Sequence, residues 1–360
     1  MRGNGHVVVV SASVGAGHDG AARELVRRLH AHGYDTDTYD FCRLLPARSG
    51  DLVRNGYRWQ LRRAPRSYQW LIGALEHPWL SAGTAALTAG ADRRLLRTVR
   101  SDTVAVLSTY PLASLALGRL RRRGLLGVPA VTYLTDLSVH PQWVGAGVDA
   151  HLALHESTAE AARLLGATGV RVVRPAMDPR FRPATGPDEV AAARRRFGLP
   201  AGRLALVVTG SLGLGEPAGT AADVAATGLA TPVVACGRHP ALRRRLADRP
   251  DVVALDWVDD MPTLLRACDI VIQNAGGLSS LEALATGIPA ITYRCIPGHG
   301  RANARALDRA GLIPWVTTPD GLAPALAYHL GRRVDRDPFG PAPDPVDLLA
   351  GLAGAAPAAA

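Results

Sequence analysis

His18 stands inside a run of glycines, SASVGAGHDGAA, that begins at Ser11 directly after the apolar stretch HVVVV. Gly15, Gly17 and Gly20 spell G-x-G-x-x-G, a turn that brings backbone amides up to a pyrophosphate at the start of a helix. An imidazole within that turn adds a group that titrates near neutral pH and can take a proton from an attacking hydroxyl. Its plainer role is to hydrogen-bond the loop. A second stretch, NAGGLSSLEALATGIPAITY, runs from Asn274 to Tyr293. Gly276 and Gly277 allow close backbone approach to a ligand. Ser279 and Ser280 place hydroxyls beside the free amides of a helix start, a setting suited to phosphate. Glu282 follows one turn on, where a carboxylate can accept from a ribose diol. Taken alone, Ser279 and Glu282 also satisfy the S-x-x-E capping box. A third stretch, TDLSVHPQW from Thr135, offers Asp136 and His140, although Asp136 reads as readily as a cap after a strand.

These residues need rigid elements to hold them. His6 to Val10 reads as a buried parallel strand and Ala21 to Ala31 as a helix. Strands are expected at Tyr34 to Asp40, Thr103 to Ser108, Ala130 to Thr135, Ala150 to Leu154 and Val170 to Val173. RPAMDPRFRPATGP, from Arg174, has four prolines and little periodicity, so it reads as a linker. After the helix Asp188 to Phe197 the pattern restarts. The strand LALVVTG leads into a second glycine loop, SLGLGEPAG, and TPVVACG, DVVALDWV, DIVIQNAG and PAITYR follow as strands. The expected organisation is α/β: a first domain over 1–175, a linker over 176–190, a second domain over 191–335, and a Pro/Ala-rich tail over 336–360 with a short helix near Val346 to Leu352. Both domains are doubly wound and face a cleft.

The motifs together resemble a family. NAGGLSSLEALATGIPAITY followed by IPGHGRANA is similar to the donor-nucleotide signature of GT-B glycosyltransferases. The resemblance is to the monogalactosyldiacylglycerol synthase and processive diacylglycerol glucosyltransferase family, related to the N-acetylglucosaminyltransferase that forms lipid II. SVGAGHDGAA, the segment Thr135 to Gly166, VTGSLGLG, ACGRHPAL and DWVDDM match its other motifs in order. The resemblance implies a GT-B fold of two Rossmann-like domains, a UDP-sugar donor in the second and a lipid acceptor such as diacylglycerol in the first. It also implies inverting hexosyl transfer without a metal or other cofactor. Glu282 would hold the ribose. Gly277, Leu278, Ser279 and Ser280, helped by Ser211, Leu212 and Gly213, would cradle the diphosphate. Gly237 and Arg238, with the backbone at Trp257 and Val258, would border the uracil. Asn274 and Gly276 belong to the same donor string, and His299, Gly300 and Asn303 would face the sugar. His18 or Asp136 would be the base, with Asp136 alternatively orienting His18. Many family members read P-G-Q-E where this chain has Pro297-Gly298-His299-Gly300, which leaves galactose, glucose and N-acetylglucosamine open.

Composition bounds the alternatives. The chain has 360 residues and a net charge of +10, and all of its 41 Lys+Arg positions are arginine. The excess of positive charge implies an anionic partner. Arg54, Arg58, Arg62, Arg63 and Arg66 interleave with Tyr57, Trp59, Leu61, Tyr68 and Trp70, a pattern suited to anionic headgroups or to a solvated helix with its aromatics in the core. A protein in the cytoplasm, bound peripherally to the inner face of the membrane, is the expectation. Four dispersed cysteines and the lack of a secretory pattern agree with it. No nucleic-acid motif accompanies the charge. No D-x-D pair stands in a suitable loop, since Asp35-Thr36-Asp37 lies on a strand. A soluble natural-product acceptor is a second reading. An NAD-dependent oxidoreductase, with Asp35, Asp37 or Asp40 on the ribose, is a third.

Overall fold

The computed structural model describes residues 4–46, 49–63, 78–210, 215–274, 276–334 and 337–355. The chain forms two compact units, one of Met1–Ala176 with Phe339–Ala360, the other of Met177–Pro338. Residues 177–190 therefore fold with the second unit, and the tail from Phe339 returns to the first.

The first unit runs β1 (His6–Ser11), α1 (Ala16–Ala31), β2 (Asp35–Asp40), α2 (Phe41–Leu44), α3 (Ser49–Arg63), α4 (Pro78–Ala89), α5 (Asp92–Leu96), β3 (Thr103–Ser108), α6 (Pro111–Arg122), β4 (Ala130–Tyr133), β5 (Ala150–Ala153), α7 (Glu156–Leu164) and β6 (Val170–Val172). Its sheet has the order β2-β1-β3-β4-β5-β6, with every pair parallel. All six residues of β1 are buried, as its unbroken apolar run requires of a strand covered on both faces. Val8, Val10 and Val106 pack against Phe41, Leu112 and Leu117 in the main core of this unit. Each such side chain contributes about 1.5–3 kcal/mol by leaving water. α1 begins at Ala16, five residues before the sequence-based start, so Gly17, His18 and Gly20 lie in its first turns and only Gly15 belongs to the turn.

The second unit runs α8 (Pro187–Arg196), β7 (Leu204–Val208), α9 (Pro217–Ala226), β8 (Thr231–Ala235), α10 (Pro240–Ala247), β9 (Val253–Leu255), α11 (Met261–Ala267), β10 (Ile270–Gln273), α12 (Leu278–Ala285), β11 (Ala290–Tyr293), α13 (His299–Arg309), β12 (Trp315–Val316) and α14 (Leu322–His329). Its sheet is also parallel, ordered β12-β11-β10-β7-β8-β9. A final helix, α15 (Pro345–Ala355), packs on α1 and β3 of the first unit, burying Val346 and Leu349. Arg28 on α1 ties the tail down, with Nη1 2.7 Å from Asp344 and Nη2 3.1 Å from the Pro175 carbonyl.

In each sheet the chain reverses its winding direction beside the first strand, between β1 and β3 in one unit and between β7 and β10 in the other. Loops leaving such a pair diverge and open a crevice at the strands' carboxyl ends.

Candidate functional site

His18 sits at the reversal point of the first unit. Its Nδ1 lies 2.8 Å from the carbonyl oxygen of Thr109, the residue that follows β3, and 3.2 Å from Thr135 Oγ1. A carbonyl only accepts, so Nδ1 carries the proton of the neutral ring and the lone pair falls on Nε2. The Thr109 hydroxyl returns a bond to the His18 carbonyl at 3.2 Å. Tyr110 meets the ring edge-on at 5.4 Å and Trp143 lies at 5.9 Å, so the imidazole is held from two sides and remains only half-buried. Neither threonine was singled out from the sequence, because they come from strands 91 and 117 positions away.

Asp136, half-buried, follows Thr135 directly and so stands one residue from the imidazole's hydroxyl neighbour. His140 has a local task, since its Nδ1 accepts from the Gln142 amide at 3.3 Å in the turn that carries Trp143. The carboxylates that an NAD ribose would need are engaged. Asp40 accepts from the Ser13 hydroxyl at 2.6 Å and from the Cys42 amide at 3.0 Å. Asp35 pairs with Arg100 at 3.0 Å, and Asp37 lies 3.2 Å from the buried ring of His6.

The second unit places its glycine-rich string at the other reversal point. Gln273, at the end of β10, braces it by accepting from the Gly276 amide at 2.5 Å and donating to Thr292 Oγ1 at 2.6 Å. This residue carried no sequence signal. Gly276 has φ +77, and a Cβ there would stand 2.6 Å from Asn303 Cβ, so the glycine serves packing against α13 rather than ligand approach. Asn303 is fully buried, and the nearby Gly300 is closed off by Ile296 at 2.5 Å from its Cβ position. Asn274 is buried too, its amide group filling the space beside Gly215, and its carbonyl accepts from the Ile296 amide at 2.9 Å.

Two helix starts thus adjoin, and neither has a side-chain cap. The cap residue of α12 is Gly277, not Ser279, so the capping box does not form; Leu278, Ser279 and Ser280 occupy the first turn. Ser280 Oγ is buried with no hydrogen-bond partner among the described residues, and so is Nε2 of His299, the first residue of α13. Uncapped amides plus unpaired donors make a setting for an anion. Glu282, one turn further along α12, is half-buried with no side-chain hydrogen bond among the described residues. Burial pushes its carboxyl up to about 8, and the Asp178 carboxylate adds to the rise.

Gly237 takes φ +60 after β8. Arg238 lies over the Trp257 ring at 4.5 Å, and the exposed indole donates from Nε1 to Asp259 at 2.7 Å, beside Val258. Arg294, with φ 46, joins the end of β11 to the segment after β7 by bonding Asp223 at 2.8 Å and pairing with Glu216. Ser211, Leu212 and Gly213 lie outside the described residues, as do residues 64–77 and the side chains of 57–63 in the arginine–aromatic segment. Among the described residues no helix is long and apolar enough to cross a membrane, and no cluster of metal-ligating side chains occurs.

Comparison with known proteins fits this arrangement. The profile of a family described as monogalactosyldiacylglycerol (MGDG) synthase matches residues 18–173. A processive diacylglycerol beta-glucosyltransferase of Bacillus cereus is 25% identical over 229 residues, covering 60% of this chain and 56% of the relative, so the match spans little more than half of that protein. One from Bacillus cytotoxicus is 22% identical over 86% of this chain and 82% of its own. Among solved structures, Acinetobacter baumannii MurG superposes with a TM-score of 0.54 at 17% identity, covering 97% of this chain and 99% of its own. Anabaena Alr3699/HepE in complex with UDP-glucose gives 0.53 at 13%, with 90% and 89% covered. The fold is GT-B, and the chain resembles the monogalactosyldiacylglycerol synthases and processive diacylglycerol glucosyltransferases.

Proposed function

We propose that this chain is a UDP-sugar-dependent glycosyltransferase that moves a hexose, with inversion, to a lipid acceptor such as diacylglycerol. The observation that carries the reading is the pair of uncapped helix starts, α12 and α13, with the Ser280 hydroxyl in the first turn of α12 and Glu282 one turn on, both without a hydrogen-bond partner among the described residues. The amides of Gly277 to Ser279 and the hydroxyls of Ser279 and Ser280 hold the diphosphate, the Ser280 amide being spent on the Gly277 carbonyl at 3.0 Å, and their dipoles neutralise the leaving group as its charge develops. Glu282 accepts from the ribose hydroxyls, which supply the donors that the described residues do not. The Arg238–Trp257 pair borders the base, and His299 meets the sugar.

In the first unit, His18 Nε2 takes the proton of the acceptor hydroxyl as the new glycosidic bond forms and the UDP oxygen leaves. The resulting imidazolium keeps its Nδ1 proton on the Thr109 carbonyl. A base whose ordinary pKa lies near neutrality suits that transfer. The MGDG-synthase match over the first unit and the diacylglycerol beta-glucosyltransferases among the relatives support a lipid acceptor, met by peripheral binding at the membrane's inner face.

The test is incubation of the purified protein with UDP-glucose, UDP-galactose and UDP-N-acetylglucosamine, each with diacylglycerol vesicles, followed by mass spectrometry of the lipid fraction. A glycosyldiacylglycerol with a β-linkage from one donor is expected. Transfer to none, with saturable binding of NAD, would overturn the reading.

A further inference from the structure

α13 carries a second feature on the side away from His299 and Asn303. Arg301, Arg305 and Arg309 recur every four residues, and all three are exposed. Successive positions at this spacing turn by about 40°, so the three guanidinium groups share one face over about 12 Å of helix. Among the described residues no carboxylate pairs with any of them, whereas other exposed arginines do find one, as Arg180 does with Asp178 at 2.7 Å and Arg182 with Glu189 at 2.9 Å. The one acidic residue of α13, Asp308, spends its carboxylate on the Trp315 amide at 3.0 Å. Like charges at i, i+4 repel, so the row weakens the helix that bears it. Trp315, on the edge strand β12, lies beneath Arg305 at 6.0 Å and gives the charged row an aromatic flank.

We propose that this arginine row is a docking surface for anionic phospholipid headgroups, with Trp315 at the interface. It is a different stretch of sequence from Arg54 to Trp70. The choice of lipid over another polyanion rests on the proposed lipid acceptor; the charge and its straight, solvent-facing disposition are independent of it. Three guanidinium groups in a line match a plane of phosphates, and the aromatic flank suits the boundary between headgroup and acyl chain. The small Ala302 and Ala306 beside them leave the guanidinium groups unobstructed.

The test is sedimentation of the full chain with phosphatidylglycerol and with phosphatidylcholine vesicles, comparing the unaltered protein with an R301E/R305E/R309E variant and an R301K/R305K/R309K variant. The expected result is selective binding to the anionic vesicles, weakened by at least about a hundredfold in the glutamate variant, since each of the three cations lost near such a surface is worth about fivefold in affinity and the added carboxylates repel the headgroups further. The lysine variant keeps most of the binding, and a UDP-induced thermal shift equal to that of the unaltered protein shows the glutamate variant to be folded. Unchanged anionic-vesicle binding in the folded glutamate variant overturns the proposal, as does tighter binding to an oligonucleotide than to vesicles. Transfer to detergent-dispersed diacylglycerol is measured separately, so failure of the enzymatic reading leaves a different signature from failure of the docking surface.

Discussion

The Nδ1 of His18 lies 2.8 Å from the carbonyl oxygen of Thr109, so a backbone acceptor holds the imidazole in one tautomer. A carbonyl cannot be removed by changing the side chain, so this brace on Nδ1 does not depend on which residue stands at position 109.

Replacing His18 by Ala should lower kcat on the order of 10²-fold or more while leaving the UDP dissociation constant near that of the unaltered protein. Steady-state kinetics with calorimetric UDP titration would separate the two. A near-normal kcat would move the role of base to Asp136, and Asp136→Asn would then abolish turnover.

In the proposed mechanism Glu282 links donor binding to pH. Its carboxyl stands at about 8 in the free protein, above the ordinary value, so the folded state favours the protonated form. The sign follows: stability from this site is present at low pH and declines as pH rises from about 4.5 through about 8, while the unfolded chain ionises. Glu282→Gln should therefore melt higher than the unaltered protein at pH 8 and nearly equal to it at pH 4. Calorimetric scans across that range would show it. The same variant should raise the donor KM more than it lowers kcat, because the proposed ribose contact would be made in ground state and transition state alike.

Two glycines should behave oppositely. Gly276→Ala faces a Cβ contact of 2.6 Å and a positive φ, so a loss of about 2–4 kcal/mol is expected. Gly15 is extended, with nothing within 4 Å of its Cβ position, and Gly15→Ala should leave stability unchanged. A fall in turnover for that stable variant would mark Gly15 as a point of ligand approach; equal turnover would mark it as a plain connector.

Transfer should survive EDTA, because helix amides and hydroxyls neutralise the leaving diphosphate in the proposed mechanism. Loss of activity in the chelator with recovery on adding Mn²⁺ would sink that part of it.

The strands that carry the site were readable from the sequence because parallel strands covered on both faces must be continuously apolar, as HVVVV and LALVV are. The start of α1 was not, since Gly17 and Gly20 look like turn residues although they open a helix. β12 escaped notice because two residues carry no periodicity. The braces of the site, Gln273 to Thr292 and Arg294 to Asp223, join positions far apart in sequence, and no local pattern encodes such a meeting. Glu282 stood out by its spacing; that it would lack a hydrogen-bond partner among the described residues depended on what the fold packs around it.

The return of Phe339 to Ala355 onto α1 and β3 has a consequence for biosynthesis. The unit that emerges first from the ribosome waits for Val346, Leu349 and Asp344, which are translated after the whole of the other unit. The surface that these residues cover on α1 and β3, including the Arg28 guanidinium, stays open until then. The first unit therefore completes its core only after the second has been made, whereas the second can close as soon as its own last strand and helix have left the exit tunnel.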